Sequence, residues 1–312
     1  MNEKIIFTVC TANYLAQARS LGDSVLKTNP GYKFIIGLVD KVDNRFDRSS
    51  FHPHTIIEVE TLAVPGFDDM RHRYSLLELT CALKPWFALH IFKNYAVSSV
   101  IYMDTDILVL NSLNFLEQEL VQHSILLTPH INSPLPADGK RPHESAILKT
   151  GIYNAGFFAV KNDNNGIRFL NWWKDILVHY CYEDGRRGLA SDQSWLNFVP
   201  LFFENTGILK HPGCNVAYWN LHERNLEKRN GIFFVNKEFP LLFFHFSGYS
   251  LPHPELLSKH QDRFTMNDNP AVKELFHLYR SSLTENKHEE MLQLSCYYKK
   301  NISILQKLGL RK

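Results

Sequence analysis

The sequence predicts an α/β fold built on a doubly wound, mostly parallel sheet. Three observations carry this. Ile5-Ile6-Phe7-Thr8-Val9-Cys10 is a short, nearly continuous apolar run, as a strand buried on both faces requires. A helical pattern and a second apolar run, Phe34 to Val39, follow it, which makes a βαβ opening. A later run, Ser99 to Met103, leads into Asp104-Thr105-Asp106, and open α/β sheets place their ligands at such strand ends.

After the first strand, Tyr14, Ala18, Leu21 and Val25 share one helical face, and Asn29-Pro30-Gly31 stops the helix. Ile56 to Glu60 reads as a third strand. Ser75 to Phe92 reads as a helix that Pro85 must kink or interrupt. Ile125 to Thr128 is a strand. Residues 130–150, with Pro134, Pro136, Gly139 and Pro142 and no periodicity, read as a loop. A loop of that length serves binding and is expected to be mobile until its ligand orders it. Gly156 to Val160 is a strand, Gly166 to Tyr182 a helix and Glu183 to Gly188 a charged turn. Asp192 to Phe198 is a short helix, Leu241 to Phe246 a buried strand, and the chain from Pro270 onward helical.

The 312 residues are 45% hydrophobic and 21% charged, which excludes wholesale disorder. Lys plus Arg, 34, against Asp plus Glu, 32, gives a net charge of +2, so bulk charge offers no case for nucleic-acid binding. Five scattered cysteines, Cys10, Cys81, Cys181, Cys214 and Cys296, never fall in a CxxC spacing. They point away from a disulfide scaffold and a thiolate zinc site, and toward a reducing compartment. The opening apolar run is too short for a signal peptide, and no stretch approaches the ~20 apolar residues of a membrane span. The expectation is a cytoplasmic protein.

Four segments carry chemistry. In Val100 to Val109, Asp104 and Asp106 alternate on extended backbone, so both carboxylates can face one hard cation, Mg²⁺ or Mn²⁺. The plainer account is a strand-end turn with two solvated aspartates. In Leu241 to Gly248, His245 ends an apolar strand, a good Mn²⁺ ligand or a satisfied core histidine, and Gly248 lets backbone approach an anion. In Gly151 to Phe158, Asn154 can offer an amide to a sugar hydroxyl or sit in an ordinary turn. In Ser191 to Trp195, Asp192 can simply cap the helix after it.

Taken in order, these segments resemble the GT-A glycosyltransferases of the glycogenin-like and bacterial lipopolysaccharide galactosyltransferase-like kind, from Ile5 to about Tyr249. The resemblance implies a GT-A (Rossmann-like) nucleotide-diphospho-sugar transferase fold over residues 1–250, with a C-terminal helical extension over 251–312. It makes Thr11, Asn13 and Tyr14 the uridine-binding start and sets Lys84 near the donor diphosphate. Asp104-Thr105-Asp106 matches the Asp-x-Asp metal motif, which His245 completes. Asn154 and Gly156 match a donor-sugar contact, Asp192 and Gln193 the pair flanking that sugar, and Asn215 an Asn-bearing segment. The implied activity is metal-dependent transfer of a hexose from a UDP-sugar, with retention, to a glycan, lipid-linked or other hydroxyl acceptor in bacterial glycan synthesis. Mn²⁺ or Mg²⁺ is the implied cofactor. One departure stands out: where the family often has a lysine after His-x-x-Gly, this chain has Tyr249, Ser250 and Leu251, and Arg224 is the candidate replacement.

Other readings of the Asp-x-Asp remain. A haloacid-dehalogenase-type phosphohydrolase wants Thr or Val where Leu108 stands. A nucleotidyltransferase wants a Gly-rich, Arg-containing loop where Thr11 to Tyr14 stands. A non-catalytic nucleotide-sugar-binding protein needs no complete metal triad. Finally, Lys299, Lys300, Lys307, Arg311 and Lys312, with Leu292, Leu294, Tyr298, Ile302, Leu305 and Leu308, make a basic amphipathic end. It suits either peripheral contact with an inner membrane surface or a solvated edge of a packed helix.

Overall fold

A computed structural model describes residues 3–299. The tail residues Lys300, Ile302, Leu305, Lys307, Leu308, Arg311 and Lys312 lie outside them.

Strand β1 (Glu3–Cys10) runs through a 3₁₀ turn at Ala12–Tyr14 into α1 (Leu15–Thr28), β2 (Tyr32–Leu38) and β3 (Thr55–Glu58). Helix α2 (Phe67–Arg73) precedes α3 (Leu76–Asn94), which Ser75 and Glu78 start with a capping box. Then come β4 (Val97–Met103), β5 (Ile107–Val109), α4 (Asn114–Gln122) and β6 (Ile125–Pro129). Helix α5 (Glu144–Thr150), β7 (Tyr153–Lys161) and α6 (Asn164–Tyr180) follow. The short strands β8 (Glu183–Asp184) and β9 (Leu189–Ala190) form a hairpin before a 3₁₀ helix, Gln193–Phe198, that continues into α7 (Val199–Phe202). The chain closes with β10 (Thr206–Ile208), β11 (Leu226–Arg229), β12 (Ile232–Val235), β13 (Phe239–Pro240), β14 (Phe243–His245), α8 (Pro270–Glu285) and α9 (His288–Leu292).

The main sheet has seven strands in the order β10-β6-β7-β4-β1-β2-β3. Strand β7 is antiparallel to both β4 and β6, within a sheet whose other pairings are parallel. Residues of β1 alternate between two buried clusters: Ile5, Phe7 and Val9 face α3 and α6, while Ile6 and Cys10 face α1. Burial on both faces is why the run is apolar without alternation. A third cluster joins Phe244 and Phe246 to Leu275, Phe276 and Tyr279 of α8.

Two expectations are corrected. Helix α3 is continuous across Pro85, so the proline does not interrupt it. The segment 130–150 is not all loop, since α5 occupies its end; with Ile147 as its single buried residue, that helix is too short to show periodicity.

A carboxylate, lysine and histidine cluster as candidate active site

The β4 strand ends at Met103, and Asp104 to Asp106 form the turn into β5. Strand β14 pairs antiparallel with β5 in a register that sets His245 opposite Ile107, and the Phe246 N–H donates to the Asp106 carbonyl at 2.8 Å. So His245 arrives from a separate two-stranded ribbon rather than from a neighbouring strand of the main sheet. Its Nε2 lies 3.0 Å from Asp106 Oδ1. One ligand atom from each of Asp104, Asp106 and His245 lies within 4.8 Å of the others.

Lys84, on α3, is buried beneath these carboxylates. Its Nζ lies 3.3 Å from Asp104 Oδ1 and 2.8 Å from Asp192 Oδ2, and donates to the Ala155 carbonyl at 3.0 Å. Burial works against its charge, yet the two aspartates hold its pKa well above the ordinary lysine value. For Asp192 burial wins instead and pushes the carboxyl up, even beside Lys84. Asp192 therefore makes no side-chain cap to the 3₁₀ helix it precedes; its carboxylate belongs to the ion-pair cluster. Tyr102 donates its hydroxyl to Asp104 Oδ1 at 2.5 Å.

Behind the carboxylates lies an amide network. Asn215, fully buried, meets His245 Nδ1 through its Oδ1 at 3.3 Å, which leaves Nε2 facing Asp106. Asn215 Nδ2 donates to Thr128 Oγ1 and to Asn154 Oδ1. Asn154 Oδ1 also accepts from the Gly156 N–H, and its Nδ2 serves Gln193 Oε1 and His130 Nε2. The Asn154 carboxamide is thus fully engaged, so a sugar hydroxyl reaches it only by displacing one of these partners. Gln193 Oε1 further accepts from the Ala155 N–H, and its Nε2 donates to the Thr150 carbonyl.

Gly156 is where backbone must pass closest to the cluster. A Cβ there would stand 2.4 Å from His245 Cε1, 2.7 Å from Asn154 Oδ1 and 3.0 Å from Asp104 Oδ2. Gly156→Ala is therefore expected to displace His245 and Asp104 and weaken Mn²⁺ binding by about 10- to 100-fold. Calorimetric titration of Mn²⁺ checks this, and an unchanged affinity would contradict it.

His130, a lone histidine after β6 with no motif around it, gives no signal in the sequence. Burial lowers its pKa to about 4, so the native ring is neutral. The group's folded pKa lies below its unfolded value, so its contribution is complete above the unfolded value and is lost as pH falls toward 4. His130→Gln should flatten the pH dependence of unfolding free energy by up to about 1.4 kcal/mol per pH unit in that window. Urea titrations at pH 7 and pH 5 test it; identical slopes for variant and parent would refute it.

Two connected chambers meet at the cluster. The first, about 420 Å³, is lined by Thr11, Asn13, Tyr14, Cys81, Lys84, Tyr102, Asp104, Thr105 and Asp106. Thr11 donates to Asn13 Oδ1, and Tyr14 is half exposed. The second, about 490 Å³, shares Cys81, Lys84, Asp104 and Asp106 and adds Asn154, Gly156, Asp192, Gln193 and His245 among others. Asn215, Arg224 and Gly248 line neither chamber. Arg224 is buried, donates to the Cys214 carbonyl and lies 3.6 Å from Glu223, so it does not supply the missing cation. Gly248 adopts φ +74°, a conformation that favours glycine, with Ser258 and His260 packed against it.

The donor set fits a divalent cation. Two carboxylate oxygens and an imidazole nitrogen suit Mg²⁺ or Mn²⁺, and the amide behind His245 fixes which nitrogen it presents. Among the described residues no other cluster of three or more His, Cys, Asp or Glu side chains is close enough to hold a metal. No described helix is long and apolar enough to cross a membrane.

Sheet order, the β5–β14 ribbon and the aspartates after β4 define a GT-A fold. No protein-family model matches the chain. Its structure is similar to that of the glycosyltransferase GlyE of Streptococcus pneumoniae TIGR4, with a TM-score of 0.51 at 15% identity, covering 93% of this chain and 64% of that one. This chain therefore spans just under two thirds of GlyE's length in that structure. In sequence it is 27% identical over 272 residues to the uncharacterized protein YfnF of Bacillus subtilis (strain 168), covering 86% of this chain and 89% of YfnF. The uncharacterized protein YfnD of the same organism is 26% identical over 200 residues, covering 63% of this chain and 62% of YfnD.

Proposed function

We propose that the protein is a metal-dependent glycosyltransferase that moves a hexose from a UDP-sugar to a hydroxyl acceptor, with retention, in bacterial glycan synthesis. The observation that carries this reading is the cluster of Asp104, Asp106, His245 and Lys84 at the junction of two chambers. One chamber has the size and polar edge for a nucleoside; the other takes the sugar and what receives it.

Asp104, Asp106 and His245 would hold a divalent cation, which when bound supplies positive charge against a departing diphosphate. Lys84 adds a fixed charge at the same junction, pre-positioned by Asp104, Asp192 and the Ala155 carbonyl. Thr11, Asn13 and Tyr14 bind the uridine. Gly156 leaves room for the cluster, and Asn154, Asn215 and Gln193 hold its walls in place. Asp192 stands at the sugar side and is the carboxylate we assign to that end of the chemistry. The reading places the protein in the cytoplasm, with residues 1–250 as catalytic unit and 251–312 as extension.

The test is a panel of nucleotide sugars assayed for hydrolysis with Mn²⁺, with Mg²⁺ and with EDTA. UDP-hexoses should turn over slowly in a metal-dependent way, and UDP with Mn²⁺ should raise the melting temperature. Turnover undiminished by EDTA, or no response to any nucleotide sugar, would overturn the proposal. The anomeric proton of the product reports retention.

A further inference from the structure

The second chamber changes character along its length. At its inner end three carboxylates, Asp104, Asp106 and Asp192, are matched by Lys84 and His245. At its outer end it is lined by Arg141, His143 and His260. The one other carboxylate on its wall, Glu183, accepts from the Ser191 hydroxyl at 2.9 Å.

The basic end is built from two segments far apart in sequence, one before α5 and one before α8, locked together. Arg141 donates from its backbone N–H at 2.7 Å and from Nε at 3.0 Å to the two oxygens of Asp262. Arg263, buried, pairs with Asp138 and donates to the carbonyls of Lys140 at 2.8 Å and Pro142 at 3.2 Å. Asp262 and Asp138 are thus engaged by arginines, and the neighbouring Glu144 accepts from the Leu135 N–H at 2.9 Å. The Nη groups of Arg141 and the rings of His143 and His260 make no hydrogen bond to protein among the described residues, and all three side chains are exposed. The His260 ring packs over Gly248, where a Cβ would stand 2.6 Å from its Cδ2, and lies 6.2 Å from the Tyr218 ring between centroids. Lys140 and Lys259 adjoin the rim in sequence. The uncommitted N–H donors of Arg141, His143 and His260 at the mouth of a chamber can hydrogen-bond an anion there.

We infer that this rim is an anion site, and that the acceptor of the transfer is a sugar carrying a phosphate or carboxylate, held by Arg141 and His260 while its hydroxyl faces the cluster. This rests on the glycosyl-transfer reading. It also accounts for a basic outer end that the donor chamber has no need of.

The experiment uses the full chain. Calorimetric titration with UDP and Mn²⁺ comes first; failure to bind would undo the transfer reading itself. With both saturating, glucose, glucose 6-phosphate and glucuronate are then titrated at low and at raised salt. At least one charged sugar should bind about ten-fold or more tightly than glucose and weaken with salt. The stronger of the two identifies phosphate or carboxylate as the recognised group. Arg141→Met and His260→Gln should each cut that affinity about five-fold or more, with Arg141→Lys retaining most of it and UDP binding unchanged in all three. Melting curves confirm that the variants are folded. Equal binding of the three sugars, charged-sugar binding indifferent to the variants, or variants that weaken UDP as much as the sugar would overturn the inference while leaving the transfer reading intact.

Discussion

Asp106→Asn is expected to lower turnover by on the order of a thousand-fold while leaving the chain folded. The substitution keeps the side chain's shape, and His245, whose charge Asp106 supports, can shed its proton, so no buried charge is orphaned. Asp106 is a third exposed, so its burial cost is modest, and the β5–β14 pairing that positions it runs through backbone. What the variant loses is ligand charge. The Mn²⁺-induced rise in melting temperature, about 2.7 kcal/mol of stabilisation at a hundred times the dissociation constant, should vanish with it. His245 adds a pH signature in the parent. Burial opposes its charge, but Asp106 holds its pKa above the ordinary histidine value. Mn²⁺ must displace that proton, so affinity should fall as pH drops through the raised value. Turnover, melting temperature and Mn²⁺ titration on one preparation decide the matter; full activity in the variant would sink the metal assignment.

Lys84→Met is expected to destabilise the protein by about 3–5 kcal/mol, the cost of leaving a buried carboxylate without its counter-ion. The Lys84 and Asp192 side chains are each 4% exposed, so water cannot take over for either. Asp104 is less at risk, being a third exposed and retaining the Tyr102 hydroxyl. The double variant Lys84→Met, Asp192→Asn should recover most of the loss, because the orphaned charge goes with its partner. Urea unfolding of the two single variants and the double gives the coupling directly. Additive losses would show that the pair is not the unit we describe.

Much of this was legible in the chain. The βαβ opening follows from apolar runs that cannot alternate because both faces of the sheet are covered. The cation cluster was legible as three residue types in sequence order, Asp104, Asp106 and His245. Their meeting was expected only through the family resemblance, because it depends on the β5–β14 register and no local pattern encodes a pairing across so many residues. The antiparallel course of β7 was hidden for the same reason, since a doubly buried strand reads alike in either direction. Asp192 looked like a helix cap because capping is a local signal, whereas its ion pair with Lys84 is not. His130 gave no signal at all, because a buried neutral histidine is defined by what surrounds it. Arg224 looked available because sequence cannot tell an inward guanidinium from an outward one.

The separate ribbon that delivers His245 has a consequence for a chain made from its N-terminus onward. The seven strands of the main sheet have all been synthesised once Ile208 has emerged, yet the third ligand belongs to a strand that comes later. A nascent or prematurely terminated chain can therefore complete the sheet with Asp104 and Asp106 already side by side and still lack the imidazole. On the proposed metal assignment, a chain that ends before His245 lacks the third ligand however complete its sheet.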